Sequence, residues 1–243
     1  MDKMTWADLI EFLPTLLHGL AYSLGISAVV IVFSVIAGIF VAFLRVSHYK
    51  SVRVPVLAYV EFIRCTPALV QLYYIFYVLP IFGLTLEALT AGIIGFTIIY
   101  TAYLSEVFRA AINSVAKTQI EAAISLGMST RQARKLVIIP QAARVALPPT
   151  VNYLLSLIKD TSLLSIITIQ EIMFRGLILA SQTFKYFTIL TEIALLYFCV
   201  CFPLTILARK LEAKFESELG YGKSKGDKKK NFFSVGPWGA DKS

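Results

Sequence analysis

From Gly19 to Leu44 the chain runs for 26 residues without a formal charge. Wound as a helix, such a stretch exceeds the roughly 30 Å of a bilayer's hydrocarbon core. It does not stand alone. Cys65–Phe82 and Ala88–Leu104 are uncharged, Val145–Ile169 is interrupted only by Lys159 and Asp160, and Tyr186–Leu207 only by Glu192. With 57% of residues hydrophobic and 16% charged, the chain is too apolar for an ordinary soluble domain of this length. These runs predict an all-α membrane protein with five transmembrane helices. The first run is too long for a signal peptide, and it has neither a basic segment before it nor a small-residue cleavage site, so it reads as a retained span. Ahead of it, Trp6, Leu9, Ile10 and Leu13 recur at helical spacing beside Asp8 and Glu11. That pattern predicts a short interfacial helix within an N-terminal segment, residues 1–18.

The net charge of +8 is first a topology signal. Five spans put the termini on opposite sides. With the C-terminus inside, the inner segments hold Arg45, Lys50, Arg53, Arg109, Lys117, Arg131, Arg134, Lys135, Arg144 and everything basic from Arg209 onward. The outer segments keep Lys3, Arg175 and Lys185. The asymmetry predicts the N-terminus outside and the C-terminus in the cytoplasm. The membrane domain covers 19–211. A basic tail, 212–243, contains "GKSKGDKKKN" and reads as flexible chain that meets anionic headgroups of the lipid bilayer, with no nucleic-acid role. "GYGKS" in that tail resembles the end of a phosphate-binding loop, but the glycine required five residues before Gly222 is Ser217 and no apolar strand precedes it. The chain therefore reads as having no ATPase site of its own. Cys65, Cys199 and Cys201 lie in apolar segments and read as packing thiols. His18 and His48 are too far apart to suggest a metal site, and no arrangement of serine, cysteine or carboxylate suggests catalysis. The small residues Gly19, Ser23, Gly25, Ser27, Ser34, Gly38, Gly92 and Gly95 read as places where helix backbones approach closely.

Between the third and fourth spans lies "EAAISLGMSTRQARKLVIIPQ", Glu121 to Gln141, the most polar long stretch before the tail. Glu121–Leu126 reads as a short helix with Gly127 at the left-handed position that ends it. Ser129 and Gln132 form a capping-box pattern that opens a second helix, expected to run to Pro140. On local physics two roles stay open. The alanine-rich helix packs under the spans, or it projects into a groove on a soluble partner with Glu121 as a charge anchor.

The fourth span carries the polar positions. Asn152, Ser156 and Asp160 lie four apart and share one helix face. An unpaired aspartate deep in the membrane costs on the order of 2.5–3.5 kcal/mol. Thr161 and Ser162 follow it and could satisfy a loosened backbone or line a cavity, as broken helices do near solute sites. Asp160 reads either as a packing anchor paired with a basic residue or as a solute contact. Adjacent helical residues point about 100° apart, which makes pairing with Lys159 awkward. Tyr153, one face over, and Thr97, Tyr100 and Thr101 on the third span complete the candidate path. Glu61 and Arg64, three apart, are expected to pair at the cytoplasmic end of the second span.

"EAAISLGMSTRQARKLVIIPQA" resembles the EAA loop of importer-type ABC transporter permeases, here about 117–140. "YVEFIRCTPALVQLYY", "AYLSEVFRAAINSV", "ALPPTVNYLLSLIKDTSLLS" and "YFCVCFPLTILARKLE" are similar to the polar amino acid permease subfamily. The resemblance covers about residues 15–215, with its motifs in one order. Two positions depart from the pattern: Ile99 stands where many relatives have a polar residue, and Thr118 where glycine is usual. The resemblance implies that Glu121, Ala122, Ala123 and Gly127 belong to a coupling helix seated in a cleft of a separate ATPase subunit. It implies a permease subunit in the plasma membrane of a prokaryote, multi-pass, taking up a polar amino acid. Its partners would be a dimer of ABC ATPase subunits, a second permease subunit (identical or homologous) and an extracytoplasmic solute-binding protein. ATP and Mg would be bound by the partner ATPases, with no cofactor in this chain. It also implies that the Asp160 motif lies near the solute path. The rival reading is a passive channel or membrane scaffold with a cytoplasmic docking hairpin.

Overall fold

The fold is that of a computed structural model, described for residues 6–218, and every element among those residues is helical. Helix α1, Trp6–Arg45, is a single element of 40 residues. The residues expected to form a short interfacial helix are, from Trp6 on, continuous with the first span, and the helix passes through Pro14. Ile10 and Leu13, on the expected apolar face, point away from the protein core. Ile10 is 71% exposed, whereas Phe12, Leu16 and Leu20 are buried against Ile172, Ala180, Ile189 and Ile193 further along the chain.

Helix α2, Lys50–Cys65, is followed by α3, Ala68–Tyr73, then a π turn over Tyr74–Val78 and a 3-10 turn over Leu79–Phe82. The two limbs meet at 106°, so the run Cys65–Phe82 is not one straight helix. Pro67 is the cause. A proline forces the preceding residue out of the helical region, and Thr66 has φ −103° and ψ 134°. The carbonyls exposed by the break are recovered by a buried side chain: the Gln71 amide donates to the carbonyls of Ile63 at 2.8 Å and Thr66 at 2.9 Å.

Helix α4, Ala88–Ser114, packs along α1 and forms the centre of the fold. Two short helices follow, α5 over Lys117–Ser125 and α6 over Thr130–Ala133, and a π turn over Arg134–Ile138 leads into α7, Ile139–Asp160. The helical winding expected to stop at Pro140 instead passes through it. A proline ring clashes with the carbonyl four residues back and removes one donor. The π turn widens the helix there, and the Ile139 N–H reaches the Arg134 carbonyl five residues earlier. After α7 the chain tightens to a 3-10 helix over Thr161–Ile167, turns at Thr168 (φ +65°), and forms α8, Ile172–Thr183, and α9, Tyr186–Glu218. Residues 212–218, assigned to the tail from sequence, thus continue α9; the remainder of the tail, with "GYGKS", lies outside the described residues.

Three unbroken helices are long and apolar enough to cross a membrane: Leu9–Arg45, Ala88–Ser114 and Tyr186–Lys214. Two bent pairs, Lys50–Cys65 with Ala68–Phe82 and Thr130–Ile167 with Ile172–Thr183, also meet that length and composition. The protein is therefore a multi-pass membrane protein, all-helical among the described residues. Its main core joins Ile26 and Val30 of α1, Phe96, Ile99 and Ala102 of α4, Leu157 of α7 and Leu164 and Ile167 of the 3-10 segment. Ile99, at 2% exposure, is a core residue. Its apolar side chain belongs to the main core.

Candidate functional site

Helix α7 ends at Asp160, and the winding changes there. The hydroxyls that follow hold the changed backbone. Thr161 donates to the Ile158 carbonyl at 2.7 Å, Ser162 to Lys159 at 2.8 Å and Ser165 to Ser162 at 2.7 Å. Asp160 itself receives a 2.7 Å hydrogen bond from the Tyr100 hydroxyl of α4. Among the described residues it makes no ion pair, with Lys159 or any other cation. A carboxylate held by one neutral donor keeps lone pairs for a further donor.

Tyr100 belongs to a cluster of three tyrosine rings between α4 and α7. Tyr100 meets Tyr103 and Tyr153 edge-on, with centroids 6.2 and 6.4 Å apart, and Tyr103 stacks on Tyr153 at 5.5 Å. Tyr103 was not anticipated. It lies three residues beyond Tyr100, on the same face, and that spacing could have revealed it. The other expected positions divide. Thr97 and Thr101 are four apart on α4, and their hydroxyl oxygens are enclosed without a partner among the described residues. Thr161 is fully buried and committed to its own backbone. Ser156 is half-buried, with no side-chain hydrogen bond among the described residues. Asn152 turns to α9, where its amide donates to Glu212 at 3.0 Å, so it does not join Asp160.

Farther along α4 stands Glu106, which sequence reasoning did not single out. Arg45 of α1, buried to 4% side-chain exposure, pairs with it at 2.6 Å. Arg109 bonds it from one turn on, and Arg64 of α2 stands 3.8 Å away. Arg64 also reaches Glu61 at 3.6 Å, the pair expected from the sequence. Glu106 thus ties the end of α1 to the body of α4. A buried carboxylate, Glu171, caps α8 by accepting from the N–H groups of Met173 and Phe174 at 2.9 and 2.7 Å.

The polar hairpin has the local geometry expected of it. The N–H of Met128 bonds the Ala123 carbonyl and that of Gly127 bonds the Ile124 carbonyl, a Schellman ending with Gly127 at φ +83°. Ser129 and Gln132 complete a capping box at the start of α6. Ala123 is buried beneath α5. Glu121 and Ala122 are exposed, as are Ile124 (49%) and Leu126 (81%). Helix α5 therefore packs by Ala123 and partly by Ile120 and leaves its other residues exposed.

Comparison with known proteins identifies the family. Residues 34–217 match the family described as binding-protein-dependent transport system inner membrane component. The chain is 38% identical over 206 residues to a probable amino-acid ABC transporter permease protein, YckA of Bacillus subtilis, covering 85% of this chain and 91% of that one. It is 36% identical to the L-cystine transport system permease protein TcyB of the same organism, covering 86% and 91%. A solved structure described as an amino acid ABC transporter with histidines superposes with a TM-score of 0.83 at 32% identity, covering 87% of this chain and 99% of that one. By its fold, by the extent of the family match and by these relatives, the chain belongs to the binding-protein-dependent transport system inner membrane components, the membrane-embedded subunits of ABC transporters.

Proposed function

We propose that this chain is the permease subunit of an ATP-driven importer for a polar amino acid or close analogue. It crosses the prokaryotic plasma membrane five times, each bent helix pair making one span, with the N-terminus outside and the C-terminus in the cytoplasm. It works with a second permease subunit, identical or homologous, two ATPase subunits that bind ATP and Mg, and an extracytoplasmic solute-binding protein. The names of the relatives, an L-cystine permease and probable amino-acid permeases, support the solute class. Helix α5 is the coupling helix. Glu121 and Ala122 face outward beside Ile124 and Leu126, and exposed apolar groups on a polar hairpin fit a groove on a soluble partner. Gly127 sets the angle at which α5 leaves the membrane domain. ATP binding and hydrolysis move α5, and the spans exchange outward for inward access. Directed uptake requires that the energy of ATP change the relative stability of those two states.

The observation that carries the solute reading is Asp160. It is a carboxylate at a change of helical winding, held by one tyrosine and by no cation among the described residues. Such a group suits the ammonium of an amino acid, or a basic side chain, with Tyr100 yielding its hydrogen bond as the solute arrives. Asp160→Asn keeps the shape and removes the charge. In vesicles reconstituted with the complete complex it is expected to lose uptake, while the yield of complex with the ATPase stays at the wild-type level. Full uptake by Asp160→Asn would remove the carboxylate from the solute path. Loss of the complex would make it a packing anchor.

A further inference from the structure

A cavity of about 310 Å³ lies between α1, α2 and α4, lined by Arg45, Arg53, Leu57, Glu61, Glu106 and Arg109. Arg53, Leu57 and Glu61 are four apart, so one face of α2 forms a wall of it. The space equals roughly ten waters at ~30 Å³ each, more than a phosphate group needs. Helix length gives its level in the membrane. Arg45 is the last residue of α1, and Arg109 stands about 30 Å along α4 from Ala88, the thickness of the hydrocarbon core. The cavity therefore lies at headgroup level.

Its charges do not balance. Glu106 is shared by Arg45 at 2.6 Å, by Arg109 and by Arg64 at 3.8 Å, and Glu61 pairs with Arg64 at 3.6 Å. Arg53 makes no ion pair among the described residues. Four arginines against two carboxylates leave an excess of two positive charges, and the lining by itself leaves one. A second observation is independent of that count. The Arg45 side chain is 4% exposed; its Nη1 serves Glu106 and Ser105, and its Nε is enclosed with no hydrogen-bond partner among the described residues. A buried guanidinium N–H without an acceptor is costly, and an anion in the cavity that Arg45 lines would supply one.

We propose that this cavity binds the phosphate of an anionic membrane phospholipid, with Arg45, Arg53 and Arg109 as its donors. Guanidinium groups present paired donors that match phosphate oxygens, and basic pockets between membrane helices suit anionic headgroups. A free phosphate ion shares that chemistry, and two features favour the lipid. The cavity lies at headgroup level. Its wall at Leu57, 42% exposed, continues on α2 to Val54, 56% exposed, an apolar surface for an acyl chain. The site is independent of the solute reading. Its assignment to the cytoplasmic leaflet rests on the topology given under Proposed function, which cysteine labelling tests separately.

The test uses the complete complex, purified in detergent, as wild type, Arg53→Gln, Arg53→Lys and Lys210→Gln. Arg53 is exposed and outside the Glu106 ion pairs, so its loss unpairs no buried charge and complex yield should match wild type. Lys210, exposed on α9, controls for general attraction of basic surface to headgroups. Phosphatidylglycerol and phosphatidylcholine are titrated by native mass spectrometry, with inorganic phosphate as competitor. Wild type should bind phosphatidylglycerol saturably and in preference to phosphatidylcholine. Arg53→Gln should weaken phosphatidylglycerol about tenfold, as for loss of a charged hydrogen bond, and leave phosphatidylcholine unchanged. Arg53→Lys should keep part of the affinity, Lys210→Gln all of it, and millimolar phosphate should leave the lipid in place. Equal binding of the two lipids by wild type, or unchanged phosphatidylglycerol binding in Arg53→Gln, overturns the inference. An equal loss in Arg53→Gln and Lys210→Gln reduces it to general surface attraction and overturns it too. Displacement of the lipid by millimolar phosphate assigns the cavity to the free anion and overturns the lipid.

Discussion

Replacing Gly127 by valine separates backbone conformation from packing more cleanly than any other change in the coupling hairpin. Gly127 has φ +83°, and a Cβ built on it meets nothing within 4 Å. No clash contributes, so any effect must come from the left-handed backbone, where a branched L-residue is disfavoured by about 1–3 kcal/mol. At about 2 kcal/mol the native turn loses population by about thirtyfold relative to a relaxed one. The relaxed turn gives up the bonds from Met128 to Ala123 and from Gly127 to Ile124, and α5 changes direction. Asparagine tolerates the same backbone far better. The expected series in reconstituted complex, read as solute-stimulated ATP hydrolysis and uptake, is wild type close to Gly127→Asn, with Gly127→Val strongly uncoupled while expression and membrane insertion are retained. Equal activity in Gly127→Val and wild type would refute the reasoning. So would a loss as large in Gly127→Asn as in Gly127→Val, since that would point to side-chain exclusion by the partner.

Three further outcomes are expected. Gly19→Val places a Cβ 2.7 Å from the Ile172 Cα and 2.9 Å from its N, both backbone atoms, so α1 and α8 must separate; a cost of about 1–3 kcal/mol should appear as a lower melting temperature of the purified subunit, and an unchanged one would contradict the close approach. Glu106→Gln leaves the Arg45 guanidinium enclosed without its counter-charge, which should cost about 3 kcal/mol, measured as lower yield and thermal stability, whereas the surface-like Glu61→Gln should be nearly silent. In a background without Cys65, Cys199 and Cys201, a cysteine at position 117 should resist an impermeant reagent applied outside intact cells and one at position 185 should react; labelling at 117 would reverse the topology.

Much of the scaffold was legible because membrane insertion writes its demands as long uncharged runs, and because caps and turns use few residue types. Gly127, Ser129 and Gln132 are such a case, and the structure places each in its expected geometry. The breaks were harder. Pro67 and Pro140 both interrupt helical winding, but one yields a 106° bend and the other a π turn that carries the helix onward. The difference lies in what takes over the freed carbonyls, the Gln71 side chain in one case and a shifted backbone bond in the other, and tertiary packing decides that. At the candidate path, Asp160 stood out by its cost in a membrane. Periodicity did place Asn152 on the same face, but α9 draws it to Glu212. Helix α8 escaped notice because its 12 residues are too short for a hydropathy signal, and the N-cap of Glu171 is a feature of tertiary burial as much as of sequence.

The account stands or falls on uphill transport. Purified complex containing this chain, its ATPase and its binding protein, sealed into vesicles with the binding-protein side facing ATP-free medium and ATP inside, should accumulate a labelled polar amino acid above its external concentration. Accumulation should cease when ATP is withheld or when Gly127 is replaced by valine. Equilibration of the solute to equal concentrations, at the same rate with and without ATP, would contradict the account and describe a passive channel.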